Sequence, residues 1–165
     1  MTPEQLSREL RLGSGRFLQQ RRKVLGLSLV AAGAMIPISL YQMGVIKHLP
    51  EPPLPRLDAD AVDASAEAYA LLATPDAVLG LGSYAITAWL AALGGEGRAR
   101  TQPWIPLALA AKVSLDALFG AKLTVDQWTR HRAFCSWCLL AAAASVATVP
   151  FAVPEARAAL RRVGS

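Results

Sequence analysis

Four long apolar stretches, separated by short polar segments, dominate the pattern of this chain. They cover residues 24–46, 77–93, 103–121 and 134–151. A helix needs about 20 mostly apolar residues to cross the hydrocarbon core of a bilayer. Each stretch comes close to that length, so we predict an all-α membrane protein, a bundle of four transmembrane helices.

The segment between the first two apolar stretches divides into two parts. Residues 48–56 contain four prolines and are predicted to form an extended connector. Residues 57–73 place Val62, Tyr69 and Leu72 at near-helical spacing. This spacing predicts a short amphipathic helix that lies on the membrane surface in the first outer loop.

Composition and charge agree with a membrane protein. Hydrophobic residues make up 53% of the 165 residues, and the formal net charge is +5. The basic residues lie at the ends of the apolar stretches, without the interleaved aromatic side chains of a nucleic-acid-binding face. We therefore expect a lipid bilayer as partner and no nucleic acid.

The basic residues also predict the orientation of the chain. With four spans, eleven of them fall on one side of the membrane: Arg8, Arg11, Arg16, Arg21, Arg22, Lys23, Arg98, Arg100, Arg157, Arg161 and Arg162. Loops rich in Lys and Arg stay on the cytoplasmic side. We expect a cytoplasmic basic segment (1–23), a transmembrane domain (24–153) and a cytoplasmic tail (154–165).

The first apolar stretch also has features of a secretory signal. An arginine pair, Arg21 and Arg22, precedes a short apolar core and small residues that end at Ala34. The apolar run continues beyond that point to residue 46, which favours a retained span with Pro37 as a kink. A cleaved signal is the alternative.

A charged pair, Lys112 and Asp116, lies inside the third apolar stretch. The four-residue spacing places both side chains on the same helix face. Two interpretations are open, because charged residues within a membrane either neutralise each other inside the bundle or take part in proton delivery.

The chain has two cysteines, Cys135 and Cys138, at the start of the fourth apolar stretch. A helix that begins near residue 133 or 134 places Cys135 in its first turn, where backbone amides and the helix dipole stabilise a thiolate. Arg130 and Arg132 add positive charge, so we expect Cys135 to be the reactive outer sulfur. Cys138 lies one turn deeper on the same face, within reach of a disulfide.

Two other interpretations of this motif are open. His131, Cys135 and Cys138 share a helix face and, together with His48 or Asp126, are soft ligands for zinc or copper. Alternatively, the cysteines are small buried hydrophobic residues in a non-catalytic membrane bundle.

Two stretches together resemble the vitamin K epoxide reductase family, in particular its bacterial membrane members. Residues 62–86, VDASAEAYALLATPDAVLGLGSYAI, resemble the family's loop serine and short surface helix, followed by a Gly and a Tyr that enter the second span. Residues 135–143, CSWCLLAAA, resemble the redox C-x-x-C motif that opens the fourth span. The resemblance implies a four-helix bundle enclosing a quinone, either menaquinone or ubiquinone.

The resemblance also implies roles for single residues. Cys138 is expected to meet the quinone, and Cys135 to exchange with a thioredoxin-like thiol protein on the outer side. Asp76 falls where relatives often carry an asparagine that binds a quinone oxygen, a role that an aspartate can fill only when protonated or through water. Ser65 matches the loop serine. With Trp137, between the cysteines, these two residues complete the predicted quinone-binding set; a first-turn acid and a capping hydroxyl are the alternatives for Asp76 and Ser65.

The chain departs from the family pattern at two positions. Relatives carry two loop cysteines that relay electrons to the C-x-x-C motif, but Ala59 occupies the position of the nearer one. Ala142 stands four residues after Cys138, so an aromatic contact of the family is also absent. We therefore predict a membrane thiol:quinone oxidoreductase that receives its electrons from another protein.

Overall fold

The computed structural model describes residues 2–163, which form seven α-helices. They are α1 (Pro3–Leu12), α2 (Arg16–Gln42), α3 (Ala59–Asp63), α4 (Asp76–Ala92), α5 (Arg98–Thr101), α6 (Trp104–Asp126) and α7 (Ser136–Val163). A 3-10 turn covers Ala66–Tyr69, and α6 continues as a π-helical turn over Gln127–His131. No strand occurs within the described residues, where a single isolated bridge joins Leu57 to Phe134. The predicted all-α class is confirmed.

Three of the helices are long and apolar enough to cross a membrane. They are α2, α6 with its π-helical extension (Trp104–His131), and most of α7 (Ser136–Arg162). Helix α4 is also apolar but has only 17 residues. At a rise of 1.5 Å per residue it extends over about 26 Å, near the lower limit for a span. The chain is a multi-pass membrane protein.

The long helices pack closely on three sides and leave a gap on the fourth. Helix α2 packs against α4 and α7, and α7 packs against α6, whereas α4 and α6 touch only lightly. Small residues allow the close contacts, with Ala31, Ala34 and Ala141 buried in one cluster. A Cβ atom added to Gly120 of α6 would lie 3.2 Å from the Cα atom of Ala142. The gap between α4 and α6 is therefore bordered by tightly packed helices.

Two buried arginines tie the helix ends together on the side remote from the cysteines. Arg21 donates hydrogen bonds of 2.8 to 3.3 Å to the carbonyl oxygens of residues 91–95, which have no partner within α4. Arg98 forms a buried ion pair with Glu155, with Nη2 and Oε2 2.7 Å apart. Gly94 has a φ of +76°, which allows the chain to reverse there. Both arginines therefore have a packing role besides their effect on orientation.

The loop between α2 and α4 differs from the predicted single helix over 57–73. It contains two short pieces, α3 and the 3-10 turn, which are separated at residues 64–65. The Asp58 side chain caps α3 by accepting the Ala61 N–H at 3.0 Å, and the Tyr69 hydroxyl donates to the Gln42 carbonyl at 3.2 Å. Leu72 has a positive φ and an exposed side chain. Contacts of this loop with α2 therefore determine its structure, and residues 57–73 do not form one amphipathic helix.

Helices α2 and α7 extend beyond the predicted spans. Helix α2 begins at Arg16 rather than at residue 24, and α7 continues to Val163 rather than ending near residue 151. Pro37 lies inside α2, and Pro150 and Pro154 lie inside α7. The basic residues from Arg16 to Lys23, and those that follow the fourth apolar stretch, therefore belong to the same continuous helices as the apolar residues.

Candidate active site

Cys135 directly precedes α7 and caps its first turn. Its sulfur accepts the backbone N–H of Cys138 at 3.2 Å, in the way that an N-cap oxygen satisfies a free amide. Helix α7 begins at Ser136, three residues after the earliest predicted start, so Cys135 lies at the cap position rather than within the first turn. Its sulfur faces the positive end of the helix dipole.

The two cysteine sulfurs lie close together beside an acidic side chain. Both cysteines are free thiols, and their Sγ atoms lie within 4.8 Å of each other and of an Asp63 carboxylate oxygen. The Cys138 thiol donates to Oδ1 of Asp63 at 3.4 Å. A small movement of either sulfur brings the pair to bonding distance.

Cys135 is fully buried, contrary to the expectation of a water-accessible outer sulfur. Its side chain is 0% exposed, and its backbone N–H donates to Oε1 of Gln127 at 3.0 Å. The basic residues before it have other partners. Arg130 pairs with Glu67 at 3.6 Å, and Arg132 lies over the ring of Trp128. An external thiol cannot reach Cys135 in this arrangement.

The loop between α2 and α4 covers Cys135. The Phe134 N–H donates to the Arg56 carbonyl at 2.8 Å, next to the isolated bridge. The Glu51 carboxylate accepts the N–H of Ser136 at 2.6 Å and that of Ala59 at 2.7 Å. Glu51 therefore joins the loop to the free amides at the start of α7. Residues 49–58 are called the covering loop below.

We expect Glu51→Ala to expose Cys135. The substitution removes both hydrogen bonds of the carboxylate, so the covering loop opens more often. In a Cys138→Ser background, a water-soluble maleimide should label Cys135 about tenfold faster, as judged by mass spectrometry. Glu67→Ala, at an exposed position, is the matched control. Equal labelling rates in the two variants would show that Glu51 does not hold the loop.

Asp63 is the functional candidate that sequence reasoning missed. It is 3% exposed, and its Oδ2 atom has no hydrogen-bond partner among the described residues. Burial raises the pKa of Asp63 to about 6, and the nearby carboxylates of Asp76 and Glu51 act in the same direction, against the hydrogen bonds from the two thiols. The only sequence signal was its position two residues before Ser65, within the stretch 62–86 that resembles the vitamin K epoxide reductase family.

An apolar cavity of about 320 Å³ opens beside Cys138, in the gap between α4 and α6. Its outer end is lined by Cys138, Asp63, Asp76 and Gln127, and its walls include Met35, Ile38, Leu79, Phe119 and Leu123. This volume lies within the usual range of ligand pockets, about 300 to 1,000 Å³. A smaller opening of about 80 Å³ also contacts Cys138, on the side of the loop between α2 and α4. Cys138 therefore contacts both spaces.

The predicted quinone-binding residues do not all line the same space. Asp76 lines both the main cavity and the smaller opening, and its Oδ1 atom accepts a hydrogen bond of 2.7 Å from Nε2 of Gln42. Ser65 lines only the smaller opening. Trp137 lines neither space, and its indole N–H donates to the Pro50 carbonyl at 2.8 Å. Trp137 therefore contacts the covering loop.

The structure changes the predicted set of metal ligands. Within residues 2–163, the metal-ligating side chains that come together are Asp63, Cys135 and Cys138, without His131. His48 instead lies 2.8 Å from Asp60. A structural zinc site normally has four protein ligands, so three residues make an incomplete set.

Comparison with known families agrees with this arrangement. A family model described as the vitamin K epoxide reductase family matches residues 23–153. The chain belongs to this family. Searches of curated proteins and of solved structures find no significant match. Membership in the vitamin K epoxide reductase family indicates a membrane oxidoreductase, and proteins of this family act on quinones.

Proposed function

We propose that this vitamin K epoxide reductase family member is a membrane thiol:quinone oxidoreductase that uses Cys135 and Cys138 as its redox pair. The observation that carries the proposal is the position of Cys138. Its sulfur lies at the outer end of an apolar cavity between apolar helices, within 4.8 Å of the Cys135 sulfur. A lipid-soluble ring in that cavity would contact one sulfur while the other remains outside it.

Four spans and an outer C-x-x-C motif complete the proposal. Helix α4 is apolar and packs along α2, so we take it as the fourth span despite its 17 residues. With four spans, both termini are cytoplasmic by the distribution of Lys and Arg. The cysteines then face the oxidising side, where disulfides persist.

Electron transfer to the quinone begins at Cys138. The Asp63 carboxylate, 3.4 Å from the Cys138 sulfur, accepts the thiol proton. As Cys135 bonds to the Cys138 sulfur, the two thiols lose two electrons and two protons. The quinone gains both and leaves as quinol, and the protein retains a Cys135–Cys138 disulfide.

An external dithiol returns the pair to its reduced state. Its thiolate attacks the Cys135 sulfur and forms a mixed disulfide, and the Cys138 thiolate leaves. The second thiol of the partner then releases Cys135. The chain has two cysteines in all, so a thioredoxin-like protein is the proposed donor. Access to Cys135 requires movement of the covering loop, because that side chain is 0% exposed.

Mass spectrometry after redox equilibration tests this function against the alternatives. The purified protein is equilibrated with oxidised or reduced glutathione, unfolded in acid, alkylated and weighed. A redox pair gains two alkyl groups only in the reduced sample. A metal site on Asp63 and the two cysteines shows no such change and releases metal to a chelator. A non-catalytic bundle shows neither response, and both of these results would contradict the proposal.

A further inference from the structure

A polar cluster lies at the inner end of the cavity, and the proposed reaction assigns it no role. The Nζ atom of Lys112 lies 2.6 Å from both carboxylate oxygens of Asp116. It also donates to Oγ of Ser83 at 2.7 Å and to Oγ1 of Thr87 at 3.3 Å. Ser83 and Asp116 line the cavity. The apolar space therefore ends in hydrogen-bonding groups.

The polar cluster lies deep enough in the cavity to contact the end of a ring ligand that points away from Cys138. Ser83 follows Asp76 by seven residues along α4, which corresponds to about 10 Å at 1.5 Å per residue. A Lys–Asp pair that only neutralised its own charges could be packed between helices away from any cavity. Charged groups within a membrane commonly mark substrate or proton pathways when they face a cavity.

Ser83 is the member of the cluster that can turn to a ligand. Its hydroxyl donates to Oδ1 of Asp116 at 3.1 Å, but Lys112 already donates to that oxygen. The other oxygen, Oδ2, keeps Lys112 and Thr87 as donors. Both carboxylate oxygens of Asp116 thus keep a hydrogen-bond donor when the Ser83 hydroxyl rotates away. The Lys112 ammonium donates to Ser83 Oγ, which strengthens the serine as a donor.

On the basis of the proposed quinone reaction, we propose that Ser83, supported by the Lys112–Asp116 pair, binds the ring oxygen of the quinone that points away from Cys138. A para-quinone carries its two oxygens at opposite ends of the ring, and the cavity has polar groups at both ends. Reduction places negative charge on each oxygen before protonation. Donors fixed beforehand at that position stabilise this charge. The site therefore selects para-quinones over ring ketones with one oxygen.

Binding of two ring compounds tests this assignment without electron transfer. In the full-length chain carrying Cys138→Ser, held in lipid nanodiscs, we expect menadione to bind about tenfold more tightly than 2-methyl-1-tetralone, which lacks the second carbonyl. Adding Ser83→Ala should make the two affinities equal, and Ser83→Thr, which retains the hydroxyl, should keep the preference. Ser114→Ala is the control, because Ser114 bonds to the Ala110 carbonyl on α6 and does not line the cavity.

Tyr84, the next residue on α4, also lines the cavity and carries a hydroxyl. A preference that survives Ser83→Ala, or that is lost only with Tyr84→Phe, would overturn the assignment. Equal affinities of the Cys138→Ser chain for menadione and 2-methyl-1-tetralone would also overturn it. Quinone reduction is measured separately in the unaltered chain. Reduction without a Ser83-dependent preference refutes the Ser83 assignment alone, whereas the preference without reduction refutes the redox function alone.

Discussion

Cys138→Ser and Cys135→Ser should each abolish thiol-driven quinone reduction. A serine hydroxyl can neither form a disulfide nor carry two electrons, so we expect turnover to fall by on the order of 10³-fold or more. The measurement is the anaerobic rate of quinol formation by purified protein in nanodiscs, with dithiothreitol as donor. Ser136→Ala is the control, since it alters a side chain between the cysteines while the backbone N–H remains bonded to Glu51.

The two cysteine variants should differ in how they react with a protein thiol. In Cys138→Ser, Cys135 remains and should form a stable mixed disulfide with a thioredoxin-like protein that has a single reactive cysteine. In Cys135→Ser, the remaining sulfur of Cys138 borders the apolar cavity and should form much less of the mixed disulfide. Equal trapping by the two variants would contradict the assignment of Cys135 as the exchanging sulfur.

Asp63→Asn should lower kcat for quinone reduction by about 10²-fold, because an amide cannot accept the Cys138 proton. The wild-type rate should rise with pH as Asp63 ionises near its pKa of about 6. This rise should be absent from the variant. Four titratable groups face Asp63 from the elements packed around it: Cys135, Cys138, Asp76 and Glu51.

Protein stability separates this catalytic role from a packing role. The folded-state pKa of Asp63 is raised from 3.8 to about 6, so folding binds a proton between these values. Stability from this group is therefore greatest below about pH 4 and is lost as the pH rises through 6. Asp63→Asn should melt at a higher temperature than wild type at pH 8, with a smaller difference at pH 4.

Asp58→Asn is the matched control for Asp63→Asn. Asp58 caps α3 from an exposed position, and asparagine caps equally well. Its variant should keep both the rate and the pH profile of wild type. A rise near pH 6 that persists in Asp63→Asn would show that another group acts as the base.

The positions of the long helices and of the cysteine motif could be predicted from the sequence, because both depend on local patterns. Apolar length located the membrane helices, and the change from polar to apolar residues placed Cys135 at the start of α7. The N-terminal end of α2 and the C-terminal end of α7 were predicted several residues short. Their basic ends form helix turns that bond to other parts of the chain, as Arg21 does with the end of α4.

The contacts around the thiols could not be predicted in the same way, because they join residues far apart in the sequence. Asp63 and Cys138 are 75 positions apart, and Glu51 and Ser136 are 85 positions apart. Both contacts arise when the covering loop and α3 dock on α7. The same docking buries Cys135. The basic residues just before it in the sequence had predicted a water-accessible sulfur.

The predicted surface helix illustrates how tertiary contacts override periodicity. Val62 and Tyr69 face inward as the spacing suggested, with Val62 buried and Tyr69 bonded to Gln42. Leu72 does not join them, since the chain changes direction through positive φ values at Leu72 and Ala73. Those turns lead the chain into α4 and bring Asp76 to the mouth of the cavity.

A single-turnover experiment shows whether Cys135 and Cys138 pass their electrons to a quinone. Fully reduced protein in nanodiscs is mixed anaerobically with one equivalent of menadione, stopped in acid, alkylated and weighed. We expect one quinol to form for every two thiols lost, with the lost thiols recovered as a Cys135–Cys138 disulfide. Quinol formed while both cysteines stay alkylatable, or both thiols and quinone left unchanged, would contradict the proposed redox function.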